Sequence, residues 1–89
     1  MTCEKFNVSG VVQAVGFRYI TAQECMKLGL TGYAKNLFDG SVEVVAHGHP
    51  EQLDELYAFL LKGPRTAVVE DVIREQVGCD QNYCGFRIL

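Results

Sequence analysis

Residues 13–18 read Gln-Ala-Val-Gly-Phe-Arg, and an asparagine, Asn36, closes the run that precedes an Asp-Gly pair. A corner of small residues leading into a helix exposes amide N–H groups that have no intrahelical acceptor. The aligned peptides add about half a positive charge at the same place. Anions bind well there. Arg18 lies in the first turn of that helix, where the dipole disfavours a cation by about 0.3–1 kcal/mol. A tetrahedral oxyanion such as phosphate would offset that cost, taking a bidentate contact from the guanidinium and further bonds from the loop amides. On spacing alone, Arg18 could equally be a solvated arginine beside a tight turn, and Asn36 a polar residue next to a hairpin.

A strand, a helix and a hairpin have to bring these residues together. Residues 4–12 put Phe6, Val8, Gly10 and Val12 on one face and Lys5, Asn7 and Ser9 on the other, a two-residue period that predicts a half-buried strand. From Phe17 to Leu28 the period becomes helical. Phe17, Thr21, Ala22, Cys25, Met26 and Leu28 share one arc, and Gln23, Glu24 and Lys27 fall on the other. Gly29 is placed to end the helix in a left-handed conformation.

Residues 31–48 centre on Asp39-Gly40, a hairpin signal whose register can be argued. A two-residue loop would set Lys35 opposite Val44 and bury the lysine. A loop of Phe38, Asp39 and Gly40, with Gly40 left-handed, sets Lys35 opposite Glu43 and keeps Ala34, Val42, Val44 and Ala46 on the core face. The second register is expected. Asn36 then lies opposite Val42 and points to the core side.

Residues 50–62 predict a second helix, with Pro50 at its first position, a Leu53/Leu56/Tyr57/Leu60 stripe, and Gly63-Pro64 to stop it. Residues 66–77 and 85–89 predict strands, with a bulge expected near Glu70-Asp71 where the alternation breaks. Strand, helix, strand, strand, helix, strand, plus a short terminal strand, gives an α+β fold: a ferredoxin-like split β-α-β sandwich with an antiparallel sheet and two helices on one face. That fold hosts many functions, so the site must decide.

At 89 residues the chain is expected to be one domain over 1–89. Apolar residues make up 48% and charged ones 21%, a globular composition. The net charge is −3 with no basic run, which disfavours nucleic acid as a partner. The opening residues lack the pattern of a secretory signal, and no apolar run is long enough to span a bilayer. No membrane partner, a cytoplasmic location and a monomer are therefore expected. Cys3, Cys25, Cys79 and Cys84 include no CxxC pair and are expected to be reduced thiols. Cys79 and Cys84, which flank a short polar loop, remain a candidate disulfide.

The residues quoted carry a family resemblance. "GVVQAVGFR", residues 10–18, resembles the acylphosphatase signature G-x-V-Q-G-V-x-F-R. "GYAKNLFDGSVEVVAHG", residues 32–48, is similar to that family's second motif, G-aromatic-small-K-N-x-x-x-G-x-V followed by a glycine. The resemblance spans nearly the whole chain in the right order. It implies hydrolysis of carboxylic-phosphoric anhydrides to carboxylate and inorganic phosphate, with no metal and no cofactor. It also implies that Arg18 binds the phosphate, that Asn36 orients the water, and that the amides of Gln13, Ala14, Val15, Gly16, Phe17 and Arg18 cradle the phosphate. Ala14 stands where the motif has glycine. Either alanine takes a left-handed conformation, or the loop relaxes and leaves a weakly active or non-catalytic anion-binding module.

The chemistry is consistent with the residues present. An acyl phosphate leaves as a carboxylate whose acid has a pKa of about 4, so no general acid is required. Phosphoryl transfer is catalysed mainly by positioning and charge stabilisation, and the sequence has no His-Asp pair or Asp-rich metal cluster to suggest otherwise. His47 and His49 read as surface or capping residues, and Asp39 as a turn residue. An RNA-binding module of the same strand order would show basic residues and stacking aromatics on the open sheet face. That face offers Tyr33 but carries Glu43 beside it.

Overall fold

In the computed structural model, which describes residues 1–79 and 83–89, the chain runs β1 (Thr2–Val11), α1 (Phe17–Lys27), β2 (Thr31–Asn36), β3 (Val42–Gly48), α2 (Pro50–Lys62), β4 (Val68–Val77) and β5 (Phe86–Ile88). The strands form one five-stranded sheet in the order β4-β1-β3-β2-β5. The first four are antiparallel to their neighbours, as the split β-α-β arrangement requires. The chain reverses after β4, so β5 comes to lie parallel to β2 and makes the whole sheet mixed. The two helices pack on one face, with Phe6, Val8, Val44, Leu53, Leu56 and Leu60 fully buried between the layers.

The expected hairpin register holds. Lys35 pairs with Glu43 and Asn36 with Val42, and Gly40 has φ +93°. Ala34, Val42, Val44 and Ala46 are all buried on the core face. The bulge is present too: Ser9 pairs with Asp71 but Gly10 with Val69, so Glu70 is the extra residue. At the bulge the backbones come so close that a Cβ on Gly10 would sit 2.1 Å from the Val68 carbonyl oxygen. Only glycine fits there.

Two expectations need correction. Met26, placed on the buried arc of α1, is 56% exposed; the buried set is Phe17, Thr21, Ala22 and Cys25, and Met26 falls at the edge of that arc. Two of the cysteines are not free thiols. Cys3 and Cys79 form a disulfide with Cα atoms 5.5 Å apart, because Cys3 pairs with Val77 at the end of β4 and Cys79 follows two residues later. Cys84 is free and exposed, so the Cys79–Cys84 pairing does not occur, and Cys25 is free and buried.

Helix α2 begins as its sequence predicts, with the Gln52 side chain accepting from the His49 backbone N–H at 3.2 Å. Arg74 of β4 bonds Glu4 at 2.6 Å and Asp54 at 2.7 Å and covers the Tyr57 ring at 5.0 Å. It joins β1, β4 and α2 along one edge of the core. No helix among the described residues is long and apolar enough to cross a membrane.

Candidate active site

Strand β1 enters the corner and α1 leaves it. Helix α1 has no side-chain cap and no acidic residue in its first turn, so nothing in the helix itself neutralises the positive end of its dipole. The N–H of Ile20 makes the first intrahelical bond, to the Gly16 carbonyl at 3.0 Å. The amides of Phe17, Arg18 and Tyr19 precede it and lack intrahelical acceptors.

Two residues of the corner, separated by Val15, adopt the left-handed region. Gly16 has φ +76° and Ala14 has φ +61°, and Ala14 is the one non-glycine residue with positive φ among the described residues. An alanine in that conformation costs about 1–2 kcal/mol. Of the two outcomes open to a non-glycine residue at position 14, the loop keeps the turn and strains the alanine.

A cavity of about 120 Å³ opens at this corner, lined by Ala14, Gly16, Phe17 and Arg18, with Val12, Tyr19 and Ile88 on its flanks. Gln13 and Val15 do not line it, and the Gln13 side chain and the Val15 carbonyl are engaged elsewhere. The Gln13 side chain crosses to the β2–β3 turn and donates to the carbonyls of Leu37 at 2.8 Å and Ser41 at 3.0 Å. The Val15 carbonyl accepts from the Thr66 hydroxyl at 2.8 Å. The corner is thus fastened on one side to the hairpin and on the other to the segment that follows α2.

Half-buried Arg18 donates through one terminal nitrogen to the Leu89 carbonyl at 2.6 Å. Leu89 in turn donates its N–H to Ala34 at 2.8 Å. The remaining guanidinium donors have no hydrogen-bond partner among the described residues. Asn36, two residues beyond Ala34 on the same face of β2, carries a buried Oδ1 with no hydrogen-bond partner among the described residues. Arg18 is thus linked through Leu89 to Ala34 of β2, and the corner through Gln13 to the hairpin, while Asn36 is not among the residues lining the cavity. Asp39 belongs to the turn: its carboxylate accepts from the Ser41 hydroxyl and backbone N–H, which holds it below the usual carboxylate range.

Three contributors escaped the sequence reading. The Gln13 side chain, the Thr66 hydroxyl and the Leu89 carbonyl act across separations of 24, 51 and 71 residues. For Gln13 a signal existed, since a long amide at a corner of small residues has no local backbone partner. For Thr66 and Leu89 there was none.

This geometry coincides with a match over almost the full chain. The acylphosphatase family model covers residues 4–88. The chain belongs to the acylphosphatase family. An acylphosphatase of Vibrio cholerae serotype O1 is 59% identical over 87 residues, covering 98% of this chain and 96% of that relative. Among solved structures, an acylphosphatase from Coxiella burnetii superposes with a TM-score of 0.93 at 39% identity, over 99% of this chain and 92% of that one. The crystal structure of acylphosphatase from Bacillus subtilis superposes with a TM-score of 0.94 at 31% identity, covering 100% and 99%. As an acylphosphatase-family member the chain is an enzyme, and its two-layer α+β fold is that of these relatives.

Proposed function

We propose that the chain, acting as one unit over residues 1–89, hydrolyses acyl phosphates to a carboxylate and inorganic phosphate at the corner between β1 and α1. The phosphoryl group sits over the α1 N-terminus, with amides of the Ala14–Arg18 loop converging on its oxygens and the free donors of Arg18 completing the cradle. Asn36 holds the attacking water through its side-chain amide, whose Oδ1 has no partner among the described residues. The carboxylate leaves without a general acid, and an oxygen of the phosphoryl group itself accepts the water's proton. The charge that develops on the equatorial oxygens meets donors already in place, so little reorganisation is needed at the moment of reaction.

The observation that carries this reading is Ala14. Its φ of +61° keeps the loop in the turn that glycine would adopt, which favours a working cradle over a weakly active anion-binding module. The test is release of inorganic phosphate from a panel of acyl phosphates by the purified protein in the presence of a chelator. Turnover, inhibited competitively by phosphate, is expected. Phosphate binding without turnover would establish the anion-binding module instead.

A further inference from the structure

Strand β1 runs from one end of the sheet to the corner at the other, and its first residues carry a second group of chemically capable side chains. Cys3 on β1 lies directly opposite His47 on β3. Cys79 lies two residues past Val77, which pairs with Cys3 from the other side. The two sulfurs and a ring nitrogen of His47 all lie within 4.8 Å of one another. Lys5, Val45 and Tyr33 are on the same face of β1, β3 and β2, which places the trio on the sheet face away from the helices. None of the three residues takes part in the chemistry at the corner.

We propose that Cys3, His47 and Cys79 form a zinc site that opens when the Cys3–Cys79 disulfide is reduced. Two thiolates and one imidazole are a donor set that suits Zn²⁺. Bond lengths of about 2.3 Å to sulfur and 2.0–2.1 Å to nitrogen place tetrahedral donors roughly 3.5–3.8 Å apart. The observed cluster reaches that spacing through side-chain rotation once the S–S bond is gone. Three ligands from three chain segments leave a fourth position for water.

Reduction gates the site because the thiolate is the ligand and a disulfide sulfur carries no such charge. A dithiol reductant supplies two electrons and two protons, breaks the S–S bond and becomes a disulfide itself. Zn²⁺ then displaces both thiol protons and binds neutral His47. Either state cross-links the chain after β4 to β1. The covalent bond does so under oxidising conditions, and the metal does so under reducing ones.

The experiment is metal titration of the full chain, reduced with a phosphine and freed of reductant without air. Co²⁺ serves as the optical probe, and Zn²⁺ competes with a chromophoric chelator. One equivalent of Co²⁺ should bind with thiolate charge-transfer bands and tetrahedral d–d bands, whereas the oxidised protein should bind none. Cys3→Ser or Cys79→Ser should remove much of the charge-transfer intensity. His47→Gln should weaken Zn²⁺ binding by more than about 100-fold, the upper end of what losing even an outer-shell partner costs. Cys84→Ser should change nothing. Absence of stoichiometric Co²⁺ binding by the reduced protein would overturn the proposal, as would binding that survives His47→Gln unchanged. If the Cys3 variant fails to fold, the His47 variant, which keeps both sulfurs, decides the matter.

Discussion

The Gln13 side chain donates to the Leu37 carbonyl at 2.8 Å, tying the corner between β1 and α1 to the hairpin that carries Asn36. A second bond from the same nitrogen reaches Ser41 at 3.0 Å. The corner and the hairpin come from different halves of the first β-α-β unit, and this amide fixes their separation. In the proposed reaction Gln13 is therefore a positioning residue whose side chain matters apart from its backbone N–H.

Gln13→Leu should lower kcat for an acyl phosphate by up to about 10²-fold, because a displacement of about 1 Å between reacting groups costs that much. Two neutral hydrogen bonds contribute about 0.5–1.5 kcal/mol each. The melting temperature should accordingly fall, by about 4–8 °C for each kcal/mol lost. Steady-state kinetics beside a thermal melt checks both, and unchanged kcat in a destabilised variant would make the contact structural only.

Ala14→Gly should relieve about 1–2 kcal/mol of backbone strain against about 0.4–1 kcal/mol of added unfolded-state entropy. The net expectation is equal or greater stability. Since the loop already holds the left-handed turn at Ala14, kcat/KM should rise or stay level rather than fall. Denaturant unfolding of the two proteins checks the first point. A glycine variant less stable by about 0.4–1 kcal/mol would place position 14 at negative φ.

Much of this fold was legible because single residues constrained it. Burying Lys35 would have been costly, so the hairpin register followed from its pairing with Glu43, and Asn36 followed from the register. The break in alternation at Glu70 announced the bulge. What escaped was long-range. Nothing local ties Thr66 to Val15 or Cys3 to Cys79, 76 residues away, because the order of strands in the sheet, not the sequence pattern, brings them together. Met26 was misplaced because a helical arc read at 100° per residue has no sharp edge. Of the candidate site, the motif that the proposal uses stood in the sequence, and the side chains that hold the motif in place did not announce themselves.

In the proposed reaction Asn36 acts on the chemical step more than on binding. Asn36→Ala should lower kcat by about 10²-fold or more while inorganic phosphate binds nearly as before. The comparison of kcat with the phosphate inhibition constant separates this from a structural role. Collapse of both would reassign Asn36 to binding or folding.

The free cysteines should differ sharply in reactivity. Burial, with a smaller contribution from the Glu24 charge, pushes the Cys25 thiol up to about 12, whereas Cys84 is exposed. The thiolate is the nucleophile, so at about pH 8, near the ordinary thiol pKa, alkylation of the native, oxidised protein should modify Cys84 and spare Cys25. Mass spectrometry of the labelled peptides reads the result. Comparable labelling of Cys25 would mean that α1 opens readily from the sheet.

The proposed reaction requires Arg18 to hold the phosphoryl group at the corner. Its most direct test is inhibition by inorganic phosphate in Arg18→Ala alongside turnover of an acyl phosphate. Each lost charge-assisted hydrogen bond contributes about 1.5–3 kcal/mol, so turnover should fall to background and phosphate inhibition should weaken by at least about tenfold. An Arg18→Ala protein that phosphate still inhibits as it does the parent would contradict that role for Arg18.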